Sequence, residues 1–397
     1  MVLNGVIGQS KLGVSLRENW FVVMFDCAEA LTYDRGGRLW SYFRAGRTYR
    51  RGLDGRILVK WQEGGARQRR WLTPPEIERL IDDGAARMRM LRTHVKEGQV
   101  AWATPPENGE LVDWLDRAGR YDAQAAKLDR QQFARVYDPI GILPPDQYLS
   151  LVLQASLGCS FNTCTFCNFY SSSRFIIRSP QAFREHAREV RAFLGDSIGM
   201  RRSIFLGEAN ALMIPFNRLA VLMSIAHEEF GERPIHAFLD AFNGARKSIA
   251  EYQMLASLGL KRVSIGLESG HDPLLHFVRK PSQSRNALDT VAALKTAGIG
   301  VSVIVLIGLG GDRYADGHVA GTIALLNEMP LSRGDIVYFS NLVERPGAKY
   351  SPLARAQGIH PLTTEEMKQQ RQAIRSGLRF GMDGPTLSTY DIHEFVY

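Results

Sequence analysis

The run Gly158-Cys159-Ser160-Phe161-Asn162-Thr163-Cys164-Thr165-Phe166-Cys167 gathers three of the chain's four cysteines into nine residues. A cubane [4Fe–4S] cluster fully held by protein takes four cysteines, so three thiolates can carry it and leave one iron open to a reactant. Zinc would need a fourth ligand at tetrahedral spacing, and no second Cys-x2-Cys or His-x3–5-His pair lies nearby. The fourth cysteine, Cys27, falls in a strand-like stretch far upstream and reads as a small buried hydrophobe. Four cysteines with three clustered suit metal binding in a reducing compartment better than a disulfide framework.

Outward from this run, the sequence after about residue 145 alternates strand and helix. Strands are expected at 148–153, 203–206, 235–239, 262–267, 301–306 and 335–342, each followed by polar residues and a helical period. Ser179-Pro180, Ser248-Ile249-Ala250-Glu251 and Thr363-Thr364-Glu365-Glu366 mark helix starts, and Gly259 and Gly298 mark helix ends. Six β-α steps predict an α/β fold with a parallel sheet. In such sheets ligands gather at the C-terminal ends of the strands, and the cysteine run follows the first of them.

Before residue 145 the pattern differs. Short runs such as Trp20–Phe25 and 57–61, separated by Gly36-Gly37, Ala45-Gly46 and Asp54-Gly55, predict a small antiparallel sheet. Thr73-Pro74-Pro75-Glu76 opens a helix to about Lys96, and a less regular helical stretch covers roughly 110–135. Asp138 to Pro145 is rich in turn residues and marks a boundary. The expected domains are 1–145, an α+β accessory domain; 146–350; and 351–397, a helix and tail packed on the second.

With 397 residues and 45% hydrophobic content, the chain is long enough for one barrel-sized domain and a smaller one. Its longest apolar run, 301–309, is far short of the ~18 residues of a membrane span. No basic stretch leads into an apolar one at the N-terminus, so a soluble, cytoplasmic protein without a membrane partner is expected. Of the net charge of +8, residues 1–100 supply most, with 18 Lys or Arg against 11 Asp or Glu. The densest stretches, 44–56 and 67–70, interleave with Trp40, Trp61 and Trp71. Such a mixture can bind phosphates and stack on bases. Without a nucleic-acid-binding motif, it reads first as a solvated hairpin surface with its aromatics packed inward.

The cysteine run resembles that of the radical S-adenosylmethionine superfamily. The resemblance implies a partial (β/α)6 TIM-like barrel, a [4Fe–4S] cluster held by Cys159, Cys164 and Cys167, and S-adenosyl-L-methionine chelating the fourth iron through its amino and carboxylate groups. It also implies reductive cleavage to a 5′-deoxyadenosyl radical that abstracts hydrogen from a substrate, oxygen sensitivity, and an electron donor such as flavodoxin or ferredoxin. The usual spacing is Cys-x3-Cys-x2-Cys; here the first gap is one residue longer. Phe166 stands where the family meets adenine. Leu206-Gly207-Glu208 is similar to the Gly-Gly-Glu element that receives the methionine ammonium, with Leu206 replacing the first glycine. Gly266-Leu267-Glu268-Ser269-Gly270 is similar to the segment that meets the ribose hydroxyls, implying contacts from Glu268 and Ser269. Val303 to Gly311 resembles the adenine-holding fifth strand, implying Ile307 and Gly308. The likeness covers about residues 146–350 and is nearest to the branch containing elongator-type and anaerobic porphyrin-pathway enzymes.

Asp316-Gly317-His318-Val319-Ala320-Gly321 fits Asp-x-His-x-x-Gly, a cobalamin-binding signature, but lies in the barrel and not in a doubly wound domain of its own, so it reads as coincidence. Asp240, Asn243, Arg279, Lys280, His271 and His276 fall near strand ends and receive no role. The chain is expected to be an enzyme acting on a small-molecule or biosynthetic substrate, with an RNA-modifying enzyme of the same chemistry and a non-catalytic iron–sulfur or zinc protein as the alternatives.

Overall fold

Alternation of buried and exposed residues builds the N-terminal part. In the computed structural model, which describes residues 1–106, 109–170 and 173–397, Phe21 and Val23 are buried while Trp20, Val22 and Met24 are not. One face of such a strand needs a partner layer. Nine strands form one antiparallel sheet: β1 (Val2–Ile7), β2 (Ser10–Leu16), β3 (Trp20–Phe25), β4 (Glu29–Asp34), β5 (Leu39–Arg44), β6 (Arg47–Arg51), β7 (Ile57–Glu63), β8 (Ala66–Trp71) and β9 (Ala101–Trp102). Their order is β8-β7-β6-β5-β4-β3-β2-β1-β9, a meander with β9 added beside β1. Its apolar face shares a core with α1 (Pro74–Lys96) and α2 (Glu110–Arg120), through Leu31, Tyr42, Met88, Leu91, Trp114 and Leu115. The irregular stretch expected at 110–135 is two helices, because Asp122 caps α3 (Ala123–Val136) by accepting from the Ala125 N–H at 2.9 Å.

Two details depend on charge. Arg51 is buried and pairs with Asp129, which also accepts from Arg38 Nε at 2.9 Å and Tyr121 OH at 3.1 Å, so the buried carboxylate is fully occupied. In the basic stretch, Arg47, Arg50 and Arg56 lie 5.2, 5.5 and 4.5 Å from the rings of Trp61, Trp40 and Trp71, so each cation rests on an indole face. Cys27 differs from expectation. It is exposed, and both it and Asp26 have positive φ (55° and 51°) in the tight turn joining β3 to β4. The loop is three residues long, Phe25 pairing with Glu29; the Ala28 N–H donates to the Phe25 carbonyl at 3.0 Å, and the two left-handed residues between them complete the turn and leave the thiol exposed.

The chain has two compact units: Met1–Pro139, Glu189–Arg202 and Val396–Tyr397 form one, and Ile140–Arg188 with Ser203–Phe395 form the other. The second unit is built on a parallel sheet of β10 (Leu151–Gln154), β13 (Ile204–Gly207), β14 (Ile235–Leu239), β15 (Leu260–Glu268), β16 (Gly300–Ile307), β17 (Ile336–Asn341) and β18 (Thr386–Thr389), paired in that order. A two-stranded hairpin, β11 (Ser156–Leu157) with β12 (Ile176–Ile177), brackets the cysteine loop. Every residue of β10 and β13 is buried, as expected of strands covered on both faces. The helices that alternate with these strands along the chain are α4 (Pro180–Leu194), whose residues from Glu189 on belong to the first unit, α5 (Phe216–Phe230), α6 (Ile249–Ser257), α7 (Asp272–Phe277), α8 (Ser284–Thr296), α9 (Gly311–Glu328), α10 (Tyr350–Ala356) and α11 (Thr364–Gly377). The expected caps are present: Ser179 Oγ accepts from the Ala182 N–H at 3.1 Å, and the Ser248 and Thr363 N–H groups each donate to the glutamate three residues on at 2.7 Å.

The fold is α/β, an antiparallel sheet domain and a partial TIM-like barrel. The barrel has a seventh strand, β18, in a segment expected to be helix and tail. Its four residues are at most half-buried, which leaves no alternation to read. Among the described residues, no helix is long and apolar enough to cross a membrane.

Candidate active site

The cysteine loop begins where β10 ends, and a buried carboxylate fixes its base. Gln154, fully buried, pairs with Gly207 across β10 and β13. Its Nε2 donates to Glu208 Oε1 at 2.6 Å, and the Gly158 N–H donates to Oε2 at 3.0 Å. Glu208 is 6% exposed, so these two bonds offset the cost of burying its charge. Gly158 has φ +71°, and a Cβ there would lie 3.0 Å from the Arg174 carbonyl oxygen. Only glycine meets both demands.

Further along, the loop is tied down on both sides. Asn162, at φ +51°, donates through Nδ2 to the Tyr170 carbonyl at 2.9 Å, and the Cys167 N–H donates to the Cys164 carbonyl at 3.3 Å. The Thr165 N–H donates to the Val278 carbonyl at 3.0 Å. Cys159, Cys164, Cys167 and Phe166 then face one cavity of about 210 Å³, together with Gly266, Glu268, Ile304 and Leu306 from the ends of β15 and β16. Among the described residues, no three His, Cys, Asp or Glu side chains converge on a single-ion point. Three soft thiols on one wall are a donor set that fits an iron–sulfur cluster.

The electrostatics of the cavity centre on Lys280. Its side chain is 6% exposed, and Nζ lies 3.3 Å from Glu268 Oε1 and 3.6 Å from Asp240 Oδ2. Burial opposes the ammonium charge, but the two carboxylates outweigh it and hold Lys280 protonated. Burial raises Glu268 above the ordinary carboxylate range, and the one cation it shares with Asp240 offsets this only in part. Burial also pushes the Cys164 thiol up to about 12, against the pull of Lys280, and raises Cys167. Free of metal, these two cysteines are thiols, and metal binding must release their protons.

The expected site residues fall into two sets. The three cysteines, Phe166 and Glu268 share the cavity. Gly207, Glu208, Ser269, Ile307 and Gly308 are not among the residues that line it. Ser269, fully buried, hydrogen-bonds His318 Nδ1 at 2.7 Å and accepts from the His271 N–H at 3.0 Å. Ile307 is fully buried, and the Gly308 N–H donates to Gln370 Oε1 at 2.8 Å. Lys280 and Asp240, given no role from the sequence, line the cavity, while Asn243, Arg279, His271 and His276 do not. A single lysine twelve residues past Glu268 carries no motif; only its position after α7 brings it back to the cavity. His318 lies inside α9, with no exposed surface.

No curated protein matches the chain in sequence. Solved structures similar to it include methylornithine synthase (PylB), at 16% identity over 60% of this chain and 70% of that one, with a TM-score of 0.41. Coproporphyrinogen III oxidase (HemN) from Escherichia coli is 13% identical over 58% of this chain and 53% of its own, with a TM-score of 0.40. The hydrogenase maturase HydG from Carboxydothermus hydrogenoformans is 14% identical over 80% and 73%, also with a TM-score of 0.40. Residues 153–323, which take in the cysteine loop, Glu208, Glu268 and β16, match the family model described as the Radical SAM superfamily, and the chain therefore carries a domain of the radical SAM superfamily of enzymes.

Proposed function

We propose that the chain binds a [4Fe–4S] cluster through Cys159, Cys164 and Cys167, with S-adenosyl-L-methionine beside it. The observation that carries this reading is that three thiols, a largely buried Glu268 and an apolar strand wall line one cavity at the C-terminal ends of parallel strands. When bound, the reduced cluster supplies the electron that cleaves S-adenosylmethionine to a 5′-deoxyadenosyl radical for hydrogen abstraction.

The chain's own residues bind and orient. Glu268 accepts hydrogen bonds from two ribose hydroxyls, for which a carboxylate has the lone pairs. Lys280 offers a buried cation to the methionine carboxylate. Phe166, half-buried against the cluster of Leu274, Leu306 and Leu309, gives adenine a flat apolar surface. Glu208 anchors the base of the cysteine loop, so with Gly207 it sets where the methionine ammonium can sit. Ser269, Ile307 and Gly308 support the ribose and adenine sides through the backbone. A small-molecule or biosynthetic substrate enters the same cavity, and a small flavoprotein or ferredoxin-type donor reduces the cluster.

The test is anaerobic reconstitution with iron and sulfide, then dithionite and S-adenosylmethionine. Formation of 5′-deoxyadenosine is expected; none from protein with an intact cluster would sink the reading.

A further inference from the structure

The cavity has a second wall that the cofactor roles do not use. It is made by Asn341, Val343 and Arg345, at and after the end of β17, together with Ile142, Tyr390 and Ile392. On the first wall, Lys280 is balanced by Glu268 and Asp240. Arg345 has no such partner: among the described residues no carboxylate lies within ion-pair reach of its guanidinium, and no acceptor takes its N–H groups. It is nevertheless held in place. Its Cζ sits 4.2 Å from the centre of the Phe169 ring. Asn168 Nδ2 donates to the Pro346 carbonyl at 2.8 Å, and the Lys349 N–H donates to the Thr165 carbonyl at 3.1 Å. The segment carrying Arg345 is thus stapled at three points to the loop that carries Cys164 and Cys167.

A guanidinium lying on an aromatic ring keeps its edge N–H groups free, and those donors match a carboxylate or phosphate in a bidentate pair. We infer that the substrate carries such an anionic group, held by Arg345, with an apolar or aromatic body against Ile142, Tyr390 and Ile392. The inference rests on the cavity being the active site proposed above. Because Arg345 is fastened to the thiol-bearing loop, an anion bound there fixes the substrate's position relative to that loop, and therefore which hydrogen faces the radical.

The test uses reconstituted holoprotein with S-adenosylmethionine and no reductant, titrated calorimetrically with 3-phenylpropanoate, phenyl phosphate and the neutral 3-phenylpropanamide. At least one anion should bind wild type about tenfold or more tightly than the amide, a difference near 1.4 kcal/mol, and the preferred anion distinguishes carboxylate from phosphate. Arg345→Gln should erase that preference, and Arg345→Lys should keep part of it; unchanged cluster absorbance checks that each variant has folded. Equal binding of the preferred anion to wild type and Arg345→Gln, no preference over the amide, or no binding of either anion to wild type overturns the inference. Wild-type 5′-deoxyadenosine formation, measured on the same preparation, separates the two readings. Cleavage without anion binding removes only the Arg345 site, whereas anion binding without cleavage removes the proposed chemistry and leaves an anion site.

Discussion

Replacing Lys280 by Met tests whether the cavity's charges act as a unit. The ammonium lies 3.3 Å from Glu268 and 3.6 Å from Asp240, and the three side chains are only 6%, 12% and 17% exposed. At an effective dielectric of 20, each contact is worth about 5 kcal/mol before desolvation is counted. Removing one partner of a buried pair typically costs about 3–5 kcal/mol, because the remaining charge stays buried. Lys280→Met should therefore lose about 3 kcal/mol of stability at pH 7.5, read from urea unfolding of cluster-free protein. The sign of the pH dependence follows from Glu268, whose folded pKa is already raised by burial and rises further without the cation. A carboxyl with a raised folded pKa is destabilising when ionised, so the loss is greatest above that pKa and shrinks as falling pH protonates the group. Adding Glu268→Gln to Lys280→Met should recover most of the loss, giving a coupling well above 1 kcal/mol in a double-mutant cycle. A loss below about 1 kcal/mol for the single variant, as for a solvated pair, or strictly additive variants, would refute this account.

Other outcomes follow from the same geometry. Cys164→Ala should abolish both the cluster's visible absorbance and 5′-deoxyadenosine formation after reconstitution; a cluster that survives would show the ligand set to be wrong. Because burial pushes Cys164 up to about 12 and also raises Cys167, iron loading should strengthen with rising pH across the neutral range, measurable as iron bound per chain at fixed free iron. His318 is fully buried, and burial, helped by His271, lowers its pKa to about 4. The unfolded chain takes up a proton below about pH 6.5 that the folded chain refuses, so stability falls between there and pH 4 by about 3 kcal/mol, and His318→Gln should flatten that part of the curve. Gly270→Ala should cost about 1–3 kcal/mol, since its Cβ would lie 2.3 Å from the Gly321 carbonyl oxygen; a thermal midpoint equal to wild type would show that the backbones can part.

What the sequence disclosed depended on how far apart the cooperating residues lie. The strands β10 and β13 to β17 were legible because each is a local apolar run; β11, β12 and β18 were not, because two residues, or four half-exposed residues at a sheet edge, have no period of their own. The thiols and Phe166 were legible because one loop carries all four, and Glu268 because it ends a strand beside glycines. Lys280, Asp240 and Arg345 were not, since each reaches the cavity from its own loop and acquires meaning only from what faces it. Cys27 was misread for a related reason: the left-handed pair that turns its thiol outward consists of Asp26 and Cys27, and neither is the glycine that usually marks such a turn.

The Asp-x-His-x-x-Gly run shows how packing can produce a familiar pattern without its usual chemistry. Within α9, Gly317, His318 and Gly321 stand at positions i, i+1 and i+4 and press one helix face against the segment that follows Glu268. A Cβ on Gly317 would lie 2.6 Å from His271 Nε2, and one on Gly321 would lie 2.6 Å from the Gly270 carbonyl oxygen. His318 fills the space between and hydrogen-bonds Ser269, while Thr322 Oγ1 accepts from the Gly270 N–H at 3.0 Å. The spacing of histidine and glycine is therefore set by the helical period and by a backbone-to-backbone contact. That contact holds the strand end at Glu268, where φ is +64° for a residue that is not glycine, and the buried face of α9 braces the backbone that aims this carboxylate into the cavity.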